Sequence, residues 1–223
     1  MTTTEMNLHI PFVKELSDCN SVAEASPILE SKGTRITVDS LNWPDQFPYH
    51  PLTTVSLGHD GKRIFVDFFV RCNYLRAVNT ENNSPVHEDS CVEFFVAPEG
   101  RTPYINFEFN CIGTLHAGRR TDRHNVTELT DKELASVERF ASCGTRPFQE
   151  LEGLFSWNLI YAIPFELLGL KWENKPITLM GNFYKCADKT ADPHFLSWAP
   201  IDTPQPDFHR PEFFQSIVLD PEA

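Results

Sequence analysis

The residues best suited to chemistry lie on one face of a strand pair predicted between Asp89 and Asn110. The sequence there reads DSCVEFFVAPEGRTPYINFEFN, with an apolar residue at every second position of both arms. Strand side chains alternate between two faces, so the remaining residues share the opposite face. That face carries Cys91, Glu93, Phe95, Tyr104, Asn106, Glu108 and Asn110. Carboxylates and amides in such a row can accept and donate the hydrogen bonds that sugar hydroxyls require.

The two glutamates of this face need a balancing partner. In the antiparallel register that buries all the apolar residues, Glu93 lies directly opposite Glu108. Like charges directly across a ladder are destabilising. Arg71, on the matching face of the preceding predicted strand, is the candidate counter-charge, and a bound ligand or metal ion is the alternative. A face that is simply solvated is the structural alternative to a binding site.

The same glutamate pair also raises the question of catalysis. Carboxyl groups about 5 Å apart are typical of retaining glycosidases, and direct cross-strand neighbours lie within that range. The sequence has no GxSxG, HExxH, P-loop or GxGxxG motif. A glycoside hydrolase that uses Glu93 and Glu108 is therefore the alternative to a non-catalytic sugar-binding protein.

Trp198 is the second candidate for sugar contact. It lies in the segment FLSWAPI, among small, polar and proline residues rather than in an apolar alternation. Exposed indole rings stack on the apolar faces of pyranose rings. The alternative is that Trp198 anchors a loop. Trp157, in register with Phe155 and Leu159, is instead predicted to be a core residue.

The composition of the chain limits its class and its partners. The 223 residues include 18 Phe and 17 Pro, which favours an all-β fold with many loops. The net charge of −12 argues against nucleic acid and anionic membrane surfaces as partners, since both bind basic patches. The six cysteines show no metal-ligand spacing, and we expect them to be free.

The elements that must position these residues are predicted to be mostly strands. Alternating segments give about nine strands, with a hairpin turn at HDGK, a helix in TDKELASVERFAS and a helical turn at FELLGL. This pattern predicts an all-β antiparallel sandwich or jelly roll with one or two short helices. Residues 1–35 are expected to form a poorly packed lead-in, with one strand at HIPFVKEL, and residues 36–223 a single domain.

Several segments, in order along the chain, carry a resemblance to a known family. They are LNW…YHP, DSCVEFFV, YINFEFNCIGT, WNLIYAIPFELL, NFYKC and SWAPI…FHRPEFF. Over residues 36–219 the sequence resembles the carbohydrate-binding family 9-like proteins, within the DOMON-like group of β-sandwiches. The resemblance implies a sandwich that binds mono- or oligosaccharides on one face and has no chemistry of its own.

The resemblance also implies roles for particular residues. Trp198 matches one of two tryptophans that sandwich the sugar, and Glu93 matches a sugar-binding carboxylate. The second tryptophan is expected where this chain has Val86 and His87. His87 therefore joins the candidate site, as does Tyr184 of NFYKC. With Arg71, Asn106, Glu108 and Asn110, these residues form the predicted ligand-binding set.

Cofactors and location follow less directly from the sequence. No cofactor is predicted; structural calcium occurs in the family, but the chain shows no compact acidic ligand loop. A haem-binding DOMON-type domain is a third interpretation, for which Met180 is the plausible methionine ligand. The start MTTTEMNLHIPF predicts no signal peptide, whereas the resemblance suggests an extracytoplasmic role. No oligomeric state is predicted.

Overall fold

The computed structural model describes residues 6–222, which form short helices and many strands. The strands are β1 (Asn7–Ile10), β2 (Thr34–Thr37), β3 (Ser40–Leu41), β4 (Leu52–His59), β5 (Arg63–Ala77), β6 (Cys91–Ala97), β7 (Tyr104–Asn110), β8 (Leu115–Arg120), β9 (Val126–Glu128), β10 (Glu138–Ala141), β11 (Phe148–Pro164), β12 (Ile177–Cys186), β13 (Phe195–Ser197) and β14 (Gln215–Leu219). The α-helices are α1 (Ala25–Lys32) and α2 (Asp131–Ser136). Short 3-10 helices span Lys14–Asp18, Val22–Glu24, Val86–Glu88, Phe165–Leu168 and Pro211–Phe213. Within this range no helix is long and apolar enough to cross a bilayer.

The strands form two sheets that pack face to face. The first has the order β1-β14-β12-β6-β7-β8-β9, with β13 paired to β12 and β3 paired to β13. The second has the order β10-β11-β5-β4-β2. Apart from the parallel pair β1–β14, the pairings within these sheets are antiparallel. The predicted all-β sandwich with short helices is therefore confirmed.

The main core lies between the two sheets and is rich in aromatic rings. Phe94 of β6 and Phe183 of β12 stack at 4.3 Å, and Phe109 lies 4.4 Å from Tyr161 of the opposite sheet. Trp157 is 1 % exposed, as predicted for a core residue. Removing each such side chain from water contributes about 1.5–3 kcal/mol. This layer fixes which face of β6 and β7 points outwards.

The predicted register of the β6–β7 hairpin is confirmed. Glu93 pairs with Glu108, Phe94 with Phe107, and the ladder runs from Cys91 opposite Asn110 to Val96 opposite Ile105. The apolar face of the pair enters the main core. The opposite face belongs to a second cluster on the outer side of the nine-stranded sheet, which includes Phe95, Tyr104 and Tyr184.

Two predicted elements differ from the structure. The capping box of Thr130 and Glu133 is present, but α2 ends at Ser136, and Glu138–Ala141 is a strand rather than the second half of a helix. This segment pairs with β11 at the edge of the five-stranded sheet, so sheet hydrogen bonds replace helical ones. The helical turn predicted at FELLGL is present as the 3-10 helix Phe165–Leu168.

The described part of the lead-in is packed into the sandwich, contrary to the loose packing that we expected. The strand predicted at HIPFVKEL shares only His9 and Ile10 with β1, which extends the nine-stranded sheet beside β14. The end of the predicted strand is instead part of the 3-10 helix Lys14–Asp18. Leu16 and Leu29 are buried with Phe65 in a third cluster under α1. Some predictions concern residues outside the described range. Residues 1–5 begin both the lead-in and the segment considered for a signal peptide, and residue 223 ends the predicted domain.

A buried carboxylate fixes the approach to β6. Asp89 is fully buried and accepts hydrogen bonds from the backbone N–H groups of Val78 and Asn79 at 3.0–3.1 Å. It also accepts from the side-chain amide of Asn110 at 3.0 Å, and the Arg76 guanidinium lies 3.3 Å away. The network holds the turn Val86–Glu88 against the start of β6, and with it the position of His87.

Replacing Asp89 is expected to destabilise the protein strongly. The change Asp89→Ala leaves several buried donors and the Arg76 charge without an acceptor, which costs about 3 kcal/mol. Urea unfolding followed by circular dichroism measures the loss, with Asp18→Ala, an exposed acid, as the matched control. A loss below about 1 kcal/mol, typical of a surface substitution, would contradict this role.

Candidate functional site

A row of polar side chains crosses the outer face of the nine-stranded sheet. Tyr184 of β12 pairs with Glu93 of β6, which pairs with Glu108 of β7, which pairs with His116 of β8. On the other side of Tyr184 the row continues to Ser197 of β13. Directly paired residues project to the same face of a sheet. The acidic pair therefore occupies the middle of the row, away from both sheet edges.

Glu93 is enclosed by thiols. It is 3 % exposed, and its Oε1 accepts hydrogen bonds from Cys186 Sγ at 3.1 Å and, more weakly, from Cys91 Sγ at 3.8 Å. Burial, reinforced by the neighbouring charge of Glu108, raises the pKa of Glu93 well above its usual value. The raised pKa favours the neutral form of Glu93, which reduces the repulsion between the two paired carboxyl groups.

Glu108 is positioned by a hydrogen-bond chain that starts at an arginine. Arg120 Nε donates to Asn106 Oδ1 at 2.8 Å, and Asn106 Nδ2 donates to Glu108 Oε1 at 2.8 Å. The other oxygen of Glu108 lies 4.0 Å from His87 Nδ1. Asn106 is fully buried, so it orients Glu108 from below rather than offering its own amide to a ligand.

Glu93 and Glu108 contribute to the polar wall of a pocket on the outer face of the sheet. The pocket has a volume of about 360 Å³, within the range of about 300–1,000 Å³ that is typical of small-molecule sites. Its polar lining includes His87, Glu93, Glu108, Arg123, Asp188, Gln205 and Asp207. The pocket thus presents carboxyl acceptors beside imidazole and guanidinium donors.

Asp188, just beyond the end of β12, is a site residue that the sequence reasoning missed. Its Oδ1 is buried and has no hydrogen-bond partner among the described residues. Burial raises the pKa of Asp188 to about 6. An acceptor that is shielded from solvent and unpaired favours a hydroxyl donor from a ligand. The one sequence signal for Asp188 as a site residue is that it closely follows the segment NFYKC.

Aromatic residues complete the pocket. Phe47, Phe195, Phe208 and His209 line it, and they come from loops or from β13. Phe208 stacks on Tyr184 at 4.3 Å with an interplanar angle of 11°, and the Tyr184 hydroxyl donates to the Phe208 carbonyl at 3.2 Å. Tyr184, only 1 % exposed, therefore supports this wall from behind. The aromatic wall was also missed, although Phe208 and His209 lie in the quoted segment FHRPEFF.

Two predicted site residues lie elsewhere. Arg71 is exposed on the outer face of β5, in the five-stranded sheet. The prediction that it balances the glutamates was wrong, because β5 and the next strand of the chain, β6, belong to opposite sheets. Trp198 is 6 % exposed and packs in the main core, 6.0 Å from Phe183. In this position its ring is covered by protein, so the loop-anchor alternative fits the structure.

The remaining predicted residues divide between lining and support. His87 lies in the turn Val86–Glu88 and lines the pocket together with Glu93 and Glu108. Asn110 is fully buried, and its amide serves the Asp89 network, donating to the Asn79 carbonyl at 2.8 Å. Three of the eight predicted residues thus meet in the pocket. Asn106, Asn110 and Tyr184 are buried and support the residues around it.

The side chains able to ligate a metal can be compared with the two cofactors considered from the sequence, calcium and haem. Among residues 6–222, the group of three side chains able to hold a metal ion is Cys91, Glu93 and Cys186. Two thiols and a carboxyl do not suit calcium, which takes six to eight oxygens. Structural calcium, which only the family resemblance suggested, has no matching carboxylate cluster in this range. Met180, the methionine considered for haem, packs against the aromatic cluster of the outer face.

Comparisons with known proteins agree with this architecture. The model of carbohydrate-binding family 9 matches residues 25–219. A solved structure from Bacteroides uniformis, provisionally described as a carbohydrate-binding protein, is 35 % identical and covers 97 % of this chain and 100 % of its own, with a TM-score of 0.88. Among curated proteins, no sequence matches the chain.

Two further structures show the same fold at low identity. A family 9 carbohydrate-binding module from Caldicellulosiruptor kristjanssonii, solved with glucose, is 10 % identical and covers 98 % of this chain and 97 % of its own, with a TM-score of 0.60. The module from the same organism solved with cellotriose is 11 % identical and covers 98 % and 95 %, with a TM-score of 0.56.

The structure is a β-sandwich with a pocket on the outer face of its nine-stranded sheet. Because the family model spans nearly the whole chain, the protein belongs to carbohydrate-binding family 9. The family resemblance and the carbohydrate-binding function predicted from the sequence are confirmed at this level.

The stability of the pocket wall is expected to depend on His209. Burial, together with the positive charges of Arg120 and Arg123, lowers the pKa of His209 to about 3. The folded state then binds fewer protons than the unfolded state between pH 3 and the usual value of 6.5. Stability is therefore present above pH 6.5 and is lost as the pH falls through this window, by about 2 kcal/mol at about pH 5.

Urea unfolding at several pH values tests this dependence. His209→Gln is expected to flatten the loss of stability on acidification, whereas His50→Gln, an exposed histidine, should leave it unchanged. Equal pH profiles for wild type and His209→Gln would show that His209 does not titrate as its burial implies.

Proposed function

We propose that the protein binds a carbohydrate in the pocket above Glu93 and Glu108 and does not transform it. The observation that carries this proposal is the combination of an unpaired buried acceptor, Asp188 Oδ1, with an oriented carboxyl, Glu108, in one pocket that also has aromatic walls. Membership of carbohydrate-binding family 9 supports the ligand class.

The polar groups of the pocket suit sugar hydroxyls. Glu108 and Asp188 accept hydrogen bonds, and the Arg123 guanidinium donates them. Asn106 and Arg120 hold Glu108 in place before a ligand arrives, so little side-chain entropy is lost on binding. Each hydroxyl group of a pyranose ring can both donate and accept a hydrogen bond.

The aromatic groups suit the carbon face of the ring. Phe47 and Phe195 lie edge to face at 4.8 Å, and Phe208 stands on Tyr184 in the neighbouring wall. These rings take over the part that the resemblance assigned to Trp198 and to a tryptophan at the position of His87. Phenyl rings bury less area than two indoles, which favours weaker binding than a double tryptophan clamp gives.

Gluco-configured sugars are the first ligands to test. The pocket mixes acidic and basic groups, which favours a neutral ligand over a strongly charged one. The Caldicellulosiruptor kristjanssonii modules were solved with glucose and with cellotriose. Because these modules are only 10 % and 11 % identical to this chain, they are evidence for its fold and not for its ligand. Their sugars therefore serve only as the first probes in binding experiments.

The geometry favours binding over hydrolysis. Glu93 is 3 % exposed, and the thiols of Cys91 and Cys186 enclose its Oε1, so little of its carboxyl group is open to a ligand. A retaining glycosidase requires its second carboxyl ionised at the anomeric carbon. A glycosidase also needs both carboxyl groups at the scissile bond, and the enclosure of Glu93 disfavours the hydrolase alternative that uses it with Glu108.

Substituting the acceptors is expected to weaken sugar binding. Glu108→Gln and Asp188→Asn each remove a charged acceptor at nearly constant volume, and the loss is expected to be about 10-fold to 100-fold in Kd. Isothermal titration calorimetry with glucose, cellobiose and cellotriose measures the loss, after a thermal-shift screen with these sugars.

The matched control lies on the opposite sheet. Arg71→Ala removes an exposed side chain of β5 and should leave Kd unchanged. Binding that survives both acceptor substitutions, or that is lost in Arg71→Ala, would show that the sugar sits elsewhere. Absence of binding to any sugar in a broad glycan array would overturn the proposed function itself.

No turnover is expected with chromogenic aryl glycosides. Release of the aryl group, followed by absorbance over many hours at high protein concentration, should match that of buffer alone. Hydrolysis that disappears in Glu93→Gln but persists in Arg71→Ala would establish the enzyme alternative.

A further inference from the structure

Three metal-ligating side chains converge beneath the sugar pocket. Cys91 of β6 and Cys186 of β12 are direct partners across the ladder. Glu93 lies two residues further along β6 on the same face, diagonally opposite Cys186. Such diagonal neighbours are within reach of each other in an antiparallel pair. The register of two central strands therefore brings a carboxyl group to a pair of thiols.

The spacing of the three ligand atoms is close to that of a tetrahedral site. Cys186 Sγ lies 3.1 Å and Cys91 Sγ lies 3.8 Å from Glu93 Oε1. The three atoms all lie within 4.8 Å of one another. Ligands about 2.0–2.3 Å from a tetrahedral zinc ion stand about 3.3–3.8 Å apart. Only small side-chain movements separate the observed arrangement from that geometry.

The three ligating side chains are buried on central strands, and a cation can reach them through the pocket. Cys91 is fully buried, and Glu93 and Cys186 are 3 % and 1 % exposed. All three belong to strands in the middle of the nine-stranded sheet. Glu93 and Cys186 also line the pocket, so a cation can reach them from solvent through it. A bound cation would keep a coordination position on the pocket side.

We propose that Cys91, Glu93 and Cys186 form a binding site for a zinc-type divalent cation at the floor of the pocket. Two thiolates and a carboxylate match the ligand preference of Zn²⁺. Binding requires the deprotonated ligands, and their protons pass to solvent as the cation enters. This site goes beyond the proposed sugar binding and does not depend on it.

A second thiol pair provides an internal control. Cys111 and Cys143 contact each other, yet among the described residues they do not belong to a group of three ligating side chains. Cys143→Ser removes a thiol without touching the pocket floor. If two neighbouring thiols alone sufficed for cation binding, this pair would bind as well.

Cobalt titration of the reduced full-length protein tests the proposal. One equivalent of Co²⁺ should bind with thiolate charge-transfer absorption and the visible bands of a tetrahedral ion, and Zn²⁺ should displace it. Cys186→Ser and Glu93→Gln are expected to weaken the affinity at least 10-fold, while Cys143→Ser leaves it unchanged. Circular dichroism of each variant checks that it is folded.

Cadmium-113 NMR of the unmodified chain gives the same answer without relying on a variant. One Cd²⁺ bound by two sulfur ligands supports the site, and its resonance should shift when sugar occupies the pocket if both sites are as proposed. No binding at millimolar Co²⁺ or Cd²⁺ would overturn the metal site, as would binding that is abolished by Cys143→Ser. Sugar binding measured in the presence of a chelator separates failure of this site from failure of the proposed function.

Discussion

The pairing of β6 with β7 is the interaction on which both the core and the pocket depend. It places Phe94 opposite Phe107 on the inner face and Glu93 opposite Glu108 on the outer face. A register shift of one residue would exchange the two faces, because strand side chains alternate. Burial of the aromatic face against the second sheet therefore fixes the position of the acidic pair. The polar surface that lines the pocket is a consequence of how the hydrophobic core is packed.

The sheet tolerates two adjacent acids because they have different surroundings. Glu93 is enclosed by thiols and burial raises its pKa, which favours the neutral form. Glu108 instead receives a hydrogen bond from Asn106, which is itself bound by Arg120. Two like residues paired across the ladder thus acquire separate roles from their neighbours. One supports the floor of the pocket, and the other presents an oriented acceptor to its interior.

Local patterns in the sequence predicted the features that depend on neighbouring residues. The alternation in β6 and β7 gave their register, and Thr130 with Glu133 gave the start of α2. Relations across the fold were not predicted. Arg71 follows the same alternation as Glu93, but its strand enters the other sheet, and the alternation of one strand carries no information about its sheet partner.

The pocket walls show the same limit. Phe47, Phe208 and Asp188 lie in loops, whose paths depend on tertiary packing rather than on a repeating pattern. Trp198 was a candidate for sugar contact, with a loop anchor as the alternative, because its segment is rich in small and polar residues. Its ring turns into the main core. The floor of the site was therefore readable from the sequence, whereas its walls and its aromatic groups required the structure.

A crystal structure of the protein with the best-binding gluco-oligosaccharide tests the central claim most directly. The account predicts a pyranose ring in the pocket, with hydroxyls hydrogen-bonded to Glu108 and Asp188 and with its carbon face against the phenyl rings of the wall. A sugar bound on the outer face of the five-stranded sheet, or one held by Trp198 after that ring leaves the core, would contradict it.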